Sequence, residues 1–299
     1  MILYDSCPVC GSKNILPVLS VKDYTVSLEH FEIWECKRCT LRFTQNIPDQ
    51  DEISPYYQSE NYISHSDTSK GLVNKLYHRV RKRTLHQKKI LVKKTTGIIN
   101  GSILDIGCGT GAFLNTMKQA NWKVTGLEPD AIARRKAIEL YNLQLESSEK
   151  LFSLPKESFD AITMWHVMEH IHDLHGSINQ IKNLLKPQGK LFIAVPNHIC
   201  YDEEIYKEFW AAYDVPRHLY HFSPQSITEL LSLHGLTIIS KKPMWYDSFY
   251  VSMLSEKYKT GKSNPIQAFL NGIVSNTKAL TNVDKCSSVI YVASISTLH

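Results

Sequence analysis

Short apolar runs alternate with longer stretches of helical periodicity over the last two-thirds of the 299-residue chain. Such alternation predicts strands separated by helices, and therefore an α/β fold with a doubly wound, mainly parallel sheet. The seven predicted strands are residues 102–105, 123–127, 143–145, 159–164, 190–195, 236–240 and 288–294. One intervening helix has an apolar stripe at Leu174, Ile178, Ile181 and Leu185, ended by Pro187. We expect these elements to form one domain over residues 96–299.

The first of these strands runs into a glycine-rich turn. Asp105 ends the apolar run, and Gly107, Gly109 and Gly111 lead into a helical pattern. Glycines let the backbone approach a ligand, and free N–H groups at a helix start face it. A dinucleotide-binding turn has its third glycine one residue later. A carboxylate at Asp105 would also repel a pyrophosphate, whereas it suits the ammonium and sulfonium charges of S-adenosylmethionine.

Further motifs follow the turn in a fixed order: residues 126–130 (GLEPD), 158–160 (SFD), 169–170 (EH) and 185–189 (LKPQG). Together with the turn they resemble the motifs of class I S-adenosylmethionine-dependent methyltransferases. The resemblance implies a Rossmann-like sheet and methyl transfer from S-adenosylmethionine. Two cysteine pairs upstream make the chain similar to the bacterial branch that carries an N-terminal zinc module.

The strand ends supply the predicted cofactor site. Glu128 ends the second strand, where its carboxylate can accept hydrogen bonds from both ribose hydroxyls. Where many relatives place an acid for the adenine amine, this chain has Ser147, Ser148 and Glu149. The predicted cofactor-binding residues are Asp105, Gly107, Cys108, Gly109, Gly111, Glu128, Pro129, Ser148, Glu149 and Trp165.

Four of the seven cysteines form two C-x-x-C pairs, Cys7 with Cys10 and Cys36 with Cys39. Two such turns complete a tetrahedral zinc site, and the apolar residues between them can form the short strands of a ribbon. Free or redox-active thiols are the alternative. With four cysteine ligands no coordination position stays open, so a metal here would fold residues 1–45 rather than do chemistry.

Residues 46–95 are predicted to be a linker and a basic helical cap. In the linker, Tyr56, Tyr57 and Tyr62 are predicted to pack the ribbon onto the main domain; the alternative is that Tyr57, Tyr62 or His65 lines the active-site mouth. Residues 70–94 form a predicted helix with ten Lys or Arg and no Asp or Glu. This face is either simply solvated or attracts an anionic small molecule, a lipid surface or RNA.

Methyl transfer to a hydroxyl needs a group that removes a proton, and histidine suits neutral pH. His166 follows the fourth strand, while His218 and His221 lie in the long polar loop of residues 196–222. We predict these three as base candidates, with Tyr213 and Arg217 as orienting groups. Residues 166–170 also match a peptidase pattern, H-x-x-E-H, but they follow a strand instead of lying within a helix.

The sequence therefore predicts a small-molecule methyltransferase that acts on oxygen and carries a structural Zn²⁺. The alternatives are an RNA methyltransferase and a non-catalytic zinc-ribbon adaptor. The chain shows neither a secretory signal nor a run of about 20 apolar residues, so we expect a cytoplasmic protein without integral membrane association. The methyl acceptor, the oligomeric state and the role of residues 242–285 stay open at this point.

Overall fold

The computed structural model describes residues 1–57 and 72–296. The strands are β1 (Ile15–Lys22), β2 (His30–Cys36), β3 (Arg42–Thr44), β4 (Ser102–Ile106), β5 (Lys123–Leu127), β6 (Phe159–Trp165), β7 (Leu185–Pro196), β8 (Tyr220–His221), β9 (Leu236–Pro243) and β10 (Ser288–Ile295). The helices are α1 (Leu72–Thr96), α2 (Ala112–Lys118), α3 (Ala131–Tyr141), α4 (Leu174–Leu184), α5 (Tyr201–Tyr206), α6 (Pro224–Leu233), α7 (Asp247–Thr260) and α8 (Pro265–Thr281). Short 3₁₀ turns fill several of the connections.

The main sheet has the strand order β5-β4-β6-β7-β10-β9. Strands β5, β4, β6 and β7 are parallel, and β10 runs antiparallel to both of its neighbours. The central strands are almost continuously buried, as expected for a sheet covered by helices on both faces. The chain crosses from one side of β4 to the other, so the crevice above the carboxyl ends of β4 and β6 is where such sheets bind ligands. The predicted α/β class is confirmed.

The predicted strand at residues 143–145 is reduced to a single parallel bridge between Leu127 and Glu146. Helix α3 ends at Asn142 in the left-handed conformation, and a 3₁₀ turn begins at Ser148. The few residues between them are too short to form a ladder. The sheet of the described residues therefore has six strands, and this seventh segment contributes one bridge at its edge.

Two predicted helix starts are confirmed in atomic detail. The Asp130 side chain accepts a hydrogen bond from the amide of Ile132 at 2.8 Å, which caps α3. Ser223 caps α6 through a reciprocal pair of bonds with Ser226, with Pro224 at the first helical position. The end of α4 differs slightly from the prediction, because β7 already begins at Leu185.

The N-terminal residues form a second, antiparallel sheet of order β1-β2-β3-β8. Its last strand comes from the long loop of the main domain: Arg42 pairs with His221 and Phe43 with Tyr220. The two parts also share one buried core, in which Leu41 and Phe43 join residues such as Phe222. The division at residues 45 and 95 stays a prediction, but the ribbon and the main domain are joined by a continuous sheet and core.

Helix α1 corresponds to the predicted basic helix, shifted by two residues. It packs on the main domain through Val92, which is buried with Ile103 and Phe113. Tyr62 and His65 lie outside the described residues. Over the part of the chain that the structure describes, no helix is both long and apolar enough to cross a bilayer.

Candidate active site

The glycine turn between β4 and α2 has the backbone conformation that its sequence predicts. Gly107, Gly109 and Gly111 have φ angles of 66°, 54° and 77°, which glycine adopts far more easily than other residues. A Cβ on Gly107 would also clash with the side chain of Val167. The turn therefore brings bare backbone to the carboxyl end of β4, as binding a flat or extended ligand requires.

Asp105 lies at this strand end with 1% of its surface exposed. The Thr163 hydroxyl of β6 donates a hydrogen bond to its carboxylate at 2.5 Å. Burial raises the pKa of Asp105 to about 7, although this hydrogen bond and the nearby Lys88 favour the charged form. A cationic ligand group beside Asp105 would relieve the cost of ionising it.

Glu128, at the end of β5, links the two neighbouring strand ends. Its carboxylate oxygens accept hydrogen bonds from the amide of Gly109 at 2.7 Å and from that of Asp130 at 3.0 Å. These bonds fix the side chain at the glycine turn. Burial raises the pKa of Glu128, and the two amide donors oppose that shift. Asp105, Gly107, Gly109 and Glu128 are called the glycine-turn cluster below.

Lys88 is a member of this site that sequence reasoning missed, because it was one of ten basic residues in the predicted helix. Its ammonium lies 4.2 Å from the centroid of the Trp165 ring at the end of β6. Burial lowers the pKa of Lys88 to about 8, while Asp105 and Asp247 favour its charged form. The space bounded by Trp165 and the carboxylates thus already attracts a cation, which is consistent with a ligand that carries ammonium and sulfonium charges.

The remaining predicted cofactor residues occupy the rim of the turn. Cys108 is half-buried next to Gly126, and burial raises the pKa of its thiol. The carbonyl of Pro129 accepts a hydrogen bond from Arg134 at 2.7 Å. Ser148 and Glu149 begin a 3₁₀ turn past the edge strand β5, and Glu149 is exposed. An adenine contact from Ser148 or Glu149 stays a prediction.

A second cluster of titratable side chains follows β6. His166 has a positive φ of 58°, and its ring lies between two carboxylates. Nε2 is 3.0 Å from Asp247 at the start of α7, and Nδ1 is 3.5 Å from Glu169. Burial alone lowers the pKa of His166, but the two carboxylates together raise it to about 10. The free protein therefore carries an imidazolium here at neutral pH.

Glu169 connects His166 to two further histidines. Its carboxylate is completely buried, and neither oxygen has a hydrogen-bond partner of good geometry among the described residues. Ligand atoms of Glu169, His170 and His218 lie within 4.8 Å of one another. Nδ1 of His170 donates to the carbonyl of Arg217 at 3.0 Å, and Nδ1 of His218 donates to that of Ala212 at 2.8 Å.

Because Nδ1 of His170 and of His218 donates to a carbonyl, the Nε2 atoms of both neutral rings carry no proton. Burial lowers the pKa of His170 to about 4. Histidines held through their other nitrogen by a carbonyl are typical metal ligands, so the three side chains could hold a divalent cation. His166, Glu169, His170, His218 and Asp247 are called the histidine cluster below.

The remaining base candidate, His221, and the two predicted orienting groups lie at the contact between the ribbon and the main domain. Nε2 of His221 is 3.1 Å from the Thr44 hydroxyl, and burial lowers the pKa of His221 far below its usual value. The Tyr213 hydroxyl contacts both Arg42 and Glu203. Arg217 is 1% exposed and binds Asp23, Asp214 and the carbonyl of Tyr56. The polar atoms of Tyr213 and Arg217 are engaged in this interface and hold the ribbon against the main domain, and the role of the two residues as substrate-orienting groups stays a prediction.

The four ribbon cysteines converge as their spacing predicts. Sγ of Cys7 is 3.5 Å from that of Cys39, Cys10 and Cys36 are equally close, and all four sulfurs lie within 4.8 Å. A tetrahedral zinc with bonds of about 2.3 Å requires sulfurs about 3.8 Å apart, so the cluster fits this metal. A hydrogen bond from the Cys39 thiol lowers the pKa of Cys7, while the same pairing raises the pKa of Cys39.

A family model described as a methyltransferase domain matches residues 73–241, more than half of the chain. The chain belongs to this methyltransferase family. Its motifs and sheet are those of the class I S-adenosylmethionine-dependent branch. The match includes both the glycine turn and most of the histidine cluster, whereas the four cysteines and helices α7 and α8 lie outside it.

Curated relatives match this methyltransferase-domain chain over about a third of its length. A ubiquinone biosynthesis O-methyltransferase from Haemophilus ducreyi is 36% identical over 115 residues, which cover 35% of this chain and 49% of the relative. A protein of the same description from Aeromonas salmonicida is 31% identical over 115 residues, which cover 36% and 48%. The chain thus spans about half the length of the curated relatives it matches.

Among solved structures, geranyl diphosphate methyltransferase in complex with S-adenosylmethionine superposes with a TM-score of 0.55 at 12% identity. The superposition covers 79% of this chain and 95% of the other. At this level of identity the likeness shows the fold alone.

Proposed function

We propose that the protein transfers the methyl group of S-adenosylmethionine to a hydroxyl oxygen of a small molecule. The observation that carries the proposal is the glycine-turn cluster, in which buried Asp105 and Glu128 stand on neighbouring strand ends around an open backbone turn. Two of its curated relatives, each matched over about half of its length, are described as O-methyltransferases. This likeness supports oxygen as the atom that accepts the methyl group.

When bound, S-adenosylmethionine supplies a methyl group already activated for displacement. The protein has to hold the donor, align an acceptor oxygen with the methyl carbon and manage the acceptor proton. Asp105 would favour the cationic amino acid part of the donor, and Glu128 its ribose hydroxyls. Trp165 would cover the donor from the end of β6, in the space where Lys88 now lies.

The histidine cluster lies directly after the strand that carries Trp165, so it is the natural place for the acceptor. His166 is 34% exposed at its side chain, more than the buried Glu169 below it, and it is the histidine we propose as the proton acceptor. With a pKa of about 10, only a small fraction of His166 is free to accept a proton at neutral pH. The rate should therefore rise with pH up to about 10.

The proposal is tested by offering the purified protein S-adenosylmethionine with a panel of small phenols and catechols. Formation of S-adenosylhomocysteine and of an O-methylated product, detected by mass spectrometry, supports it. Exclusive methylation of nitrogen, or turnover on RNA that weakens with salt, would favour a different acceptor. Tight cofactor binding without turnover on any cell extract would favour the adaptor instead. A rate that does not change between pH 7 and 9 would rule out His166 as the base.

A further inference from the structure

Helices α7 and α8 form an antiparallel pair that buries small residues and exposes large apolar ones, the reverse of an ordinary core. The residues that α8 buries are all small: Ala268, Gly272, Ser275 and Ala279. Those of α7 that are buried include Ser248, Ser252 and Ser255. The two helices therefore meet through small side chains, with Phe249 packed against the position of Gly272.

The large apolar residues of α8 point the other way. Ile266 and Leu280 are 74% and 73% exposed, and four more lie between them: Phe269, Leu270, Ile273 and Val274. The first five of these positions recur at intervals of three and four, and Leu280 follows Ile273 by two turns, so they form one stripe along about 20 Å of the helix, opposite its packed face. Tyr250 and Met253 on α7 are also exposed. A groove of about 220 Å³ runs beside the stripe, lined by Trp245, Phe249, Ile273, Asn276, Thr277 and Leu280.

An amphipathic helix of a globular protein normally turns its large apolar residues to the core. The opposite arrangement, with small residues between helices and large ones outside, is the pattern of helices whose outer surface meets lipid. A continuous exposed apolar surface of this kind indicates a binding surface. What covers it must itself be apolar.

The charge around the stripe indicates which apolar partner fits. Residues 257–283 contain four lysines and no aspartate or glutamate. Lys257 and Lys262 are exposed at the turn between α7 and α8, whereas Lys259 reaches the carbonyl of Ile205 on α5. Lysines that flank an apolar helical face match the anionic headgroups of a bilayer, into whose surface the apolar residues insert. With 17 residues that include Asn271, Asn276 and Lys278, α8 is long enough to lie in the bilayer surface but is not long and apolar enough to span it.

We infer that the α7–α8 pair is a peripheral membrane-binding surface, specific for anionic lipid. Ile266, Phe269, Leu270, Ile273 and Leu280 enter the headgroup boundary while the lysines contact lipid phosphates. Because α7 begins at Asp247, the carboxylate paired with His166, one helix connects this surface to the histidine cluster. The inference rests on the α7–α8 pair and does not depend on the proposed reaction.

The test is co-sedimentation of the full-length protein with phosphatidylcholine vesicles that contain or lack phosphatidylglycerol. We expect binding to the anionic vesicles, reduced by salt and roughly tenfold or more weaker for the double variant Phe269→Ser/Ile273→Ser. The double variant Lys257→Gln/Lys262→Gln should lose the preference for phosphatidylglycerol. The matched control is Ile138→Ser/Leu140→Ser on α3, where the two side chains are 49% and 50% exposed, and it should bind as the wild type does.

Thermal unfolding and S-adenosylmethionine binding of each variant show whether it is folded. Absence of binding to anionic vesicles by the folded wild type would overturn the inference, as would equal losses in the α3 control. Light scattering in solution separates the remaining alternative. If the wild type is a dimer that Phe269→Ser/Ile273→Ser dissociates, and neither form binds vesicles, the surface is covered by a second copy of the chain instead.

Discussion

The glycine-turn cluster and the histidine cluster both follow strands of the main sheet, and Lys88 interacts with Asp105 of one and Asp247 of the other, but the two clusters are held in different ways. The glycine-turn cluster belongs to the main sheet, where Asp105 and Glu128 are fixed by β4, β5 and β6. The histidine cluster depends on the ribbon and on the linker that follows it. The hydroxyls of Tyr57 and Thr44 contact His170 and the carbonyl of His218, and Asp23 binds Arg217 beside them. Donor binding and acceptor positioning should therefore respond separately to mutation.

The largest difference between the effect on acceptor turnover and the effect on donor binding is expected when the ribbon loses its metal. Cys36→Ser should release one zinc per chain and unfold the ribbon, because structural zinc binding contributes about 10 kcal/mol or more to folding. Acceptor turnover should be lost, while the affinity for S-adenosylmethionine is nearly kept. Metal analysis and calorimetry measure both quantities, with Cys286→Ser as a buried-cysteine control outside the cluster. A wild type without zinc would contradict this prediction.

The next largest effect concerns the acceptor side alone. His166→Ala should lower kcat by roughly 10²-fold to 10⁴-fold, the usual contribution of a general base. The dissociation constant of S-adenosylmethionine should hardly change, because His166 contacts Glu169 and Asp247 and none of the glycine-turn residues. His30→Ala, at an exposed position of β2, is the control. Turnover at the wild-type rate in His166→Ala, and also in His218→Ala and His221→Ala, would mean that alignment alone accounts for catalysis.

Glu128→Ala should have a smaller effect, and this effect should fall on donor binding instead of on the acceptor side. Hydrogen bonds to a charged group contribute about 1.5 to 3 kcal/mol, so the affinity for S-adenosylmethionine should fall about tenfold or more. Titration calorimetry measures this directly, and Glu139→Ala on the exposed face of α3 is the matched control. Unchanged affinity would remove Glu128 from the donor site.

The smallest effect is a pH dependence of donor binding. A carboxyl group with a pKa of about 7 is neutral below that pH and ionised above it, so Asp105 attracts a cation more strongly as the pH rises. Between pH 6 and 8 the affinity should increase by up to about tenfold. Asp105→Asn should flatten this increase. A wild-type affinity that falls with pH over the same range would show that Asp105 does not titrate against the donor.

The difference between the clusters also explains what the sequence could predict. Asp105, the glycines and Glu128 lie within 24 residues of one another and their roles follow from local strand-turn-helix geometry. The histidine cluster joins residues 166–170 to His218 and Asp247, which only the folded topology brings together. No local pattern distinguished Asp247, or Lys88 from its basic neighbours. Likewise, Tyr213 and Arg217 are residue types expected in a substrate loop. The unpredicted pairing of β3 with β8 brings their loop against the ribbon, where they contact Arg42 and Asp23.

That pairing has a consequence for how the chain is assembled during synthesis. Strand β3 is complete at Thr44, but its partner β8 is made about 175 residues later. Until then the edge of the ribbon presents unpaired backbone groups, which are a template for wrong strand pairing. Such a distant contact forms late and slows folding. Early metal capture by the four cysteines would hold the nascent ribbon in register while the ribosome completes the domain that seals it.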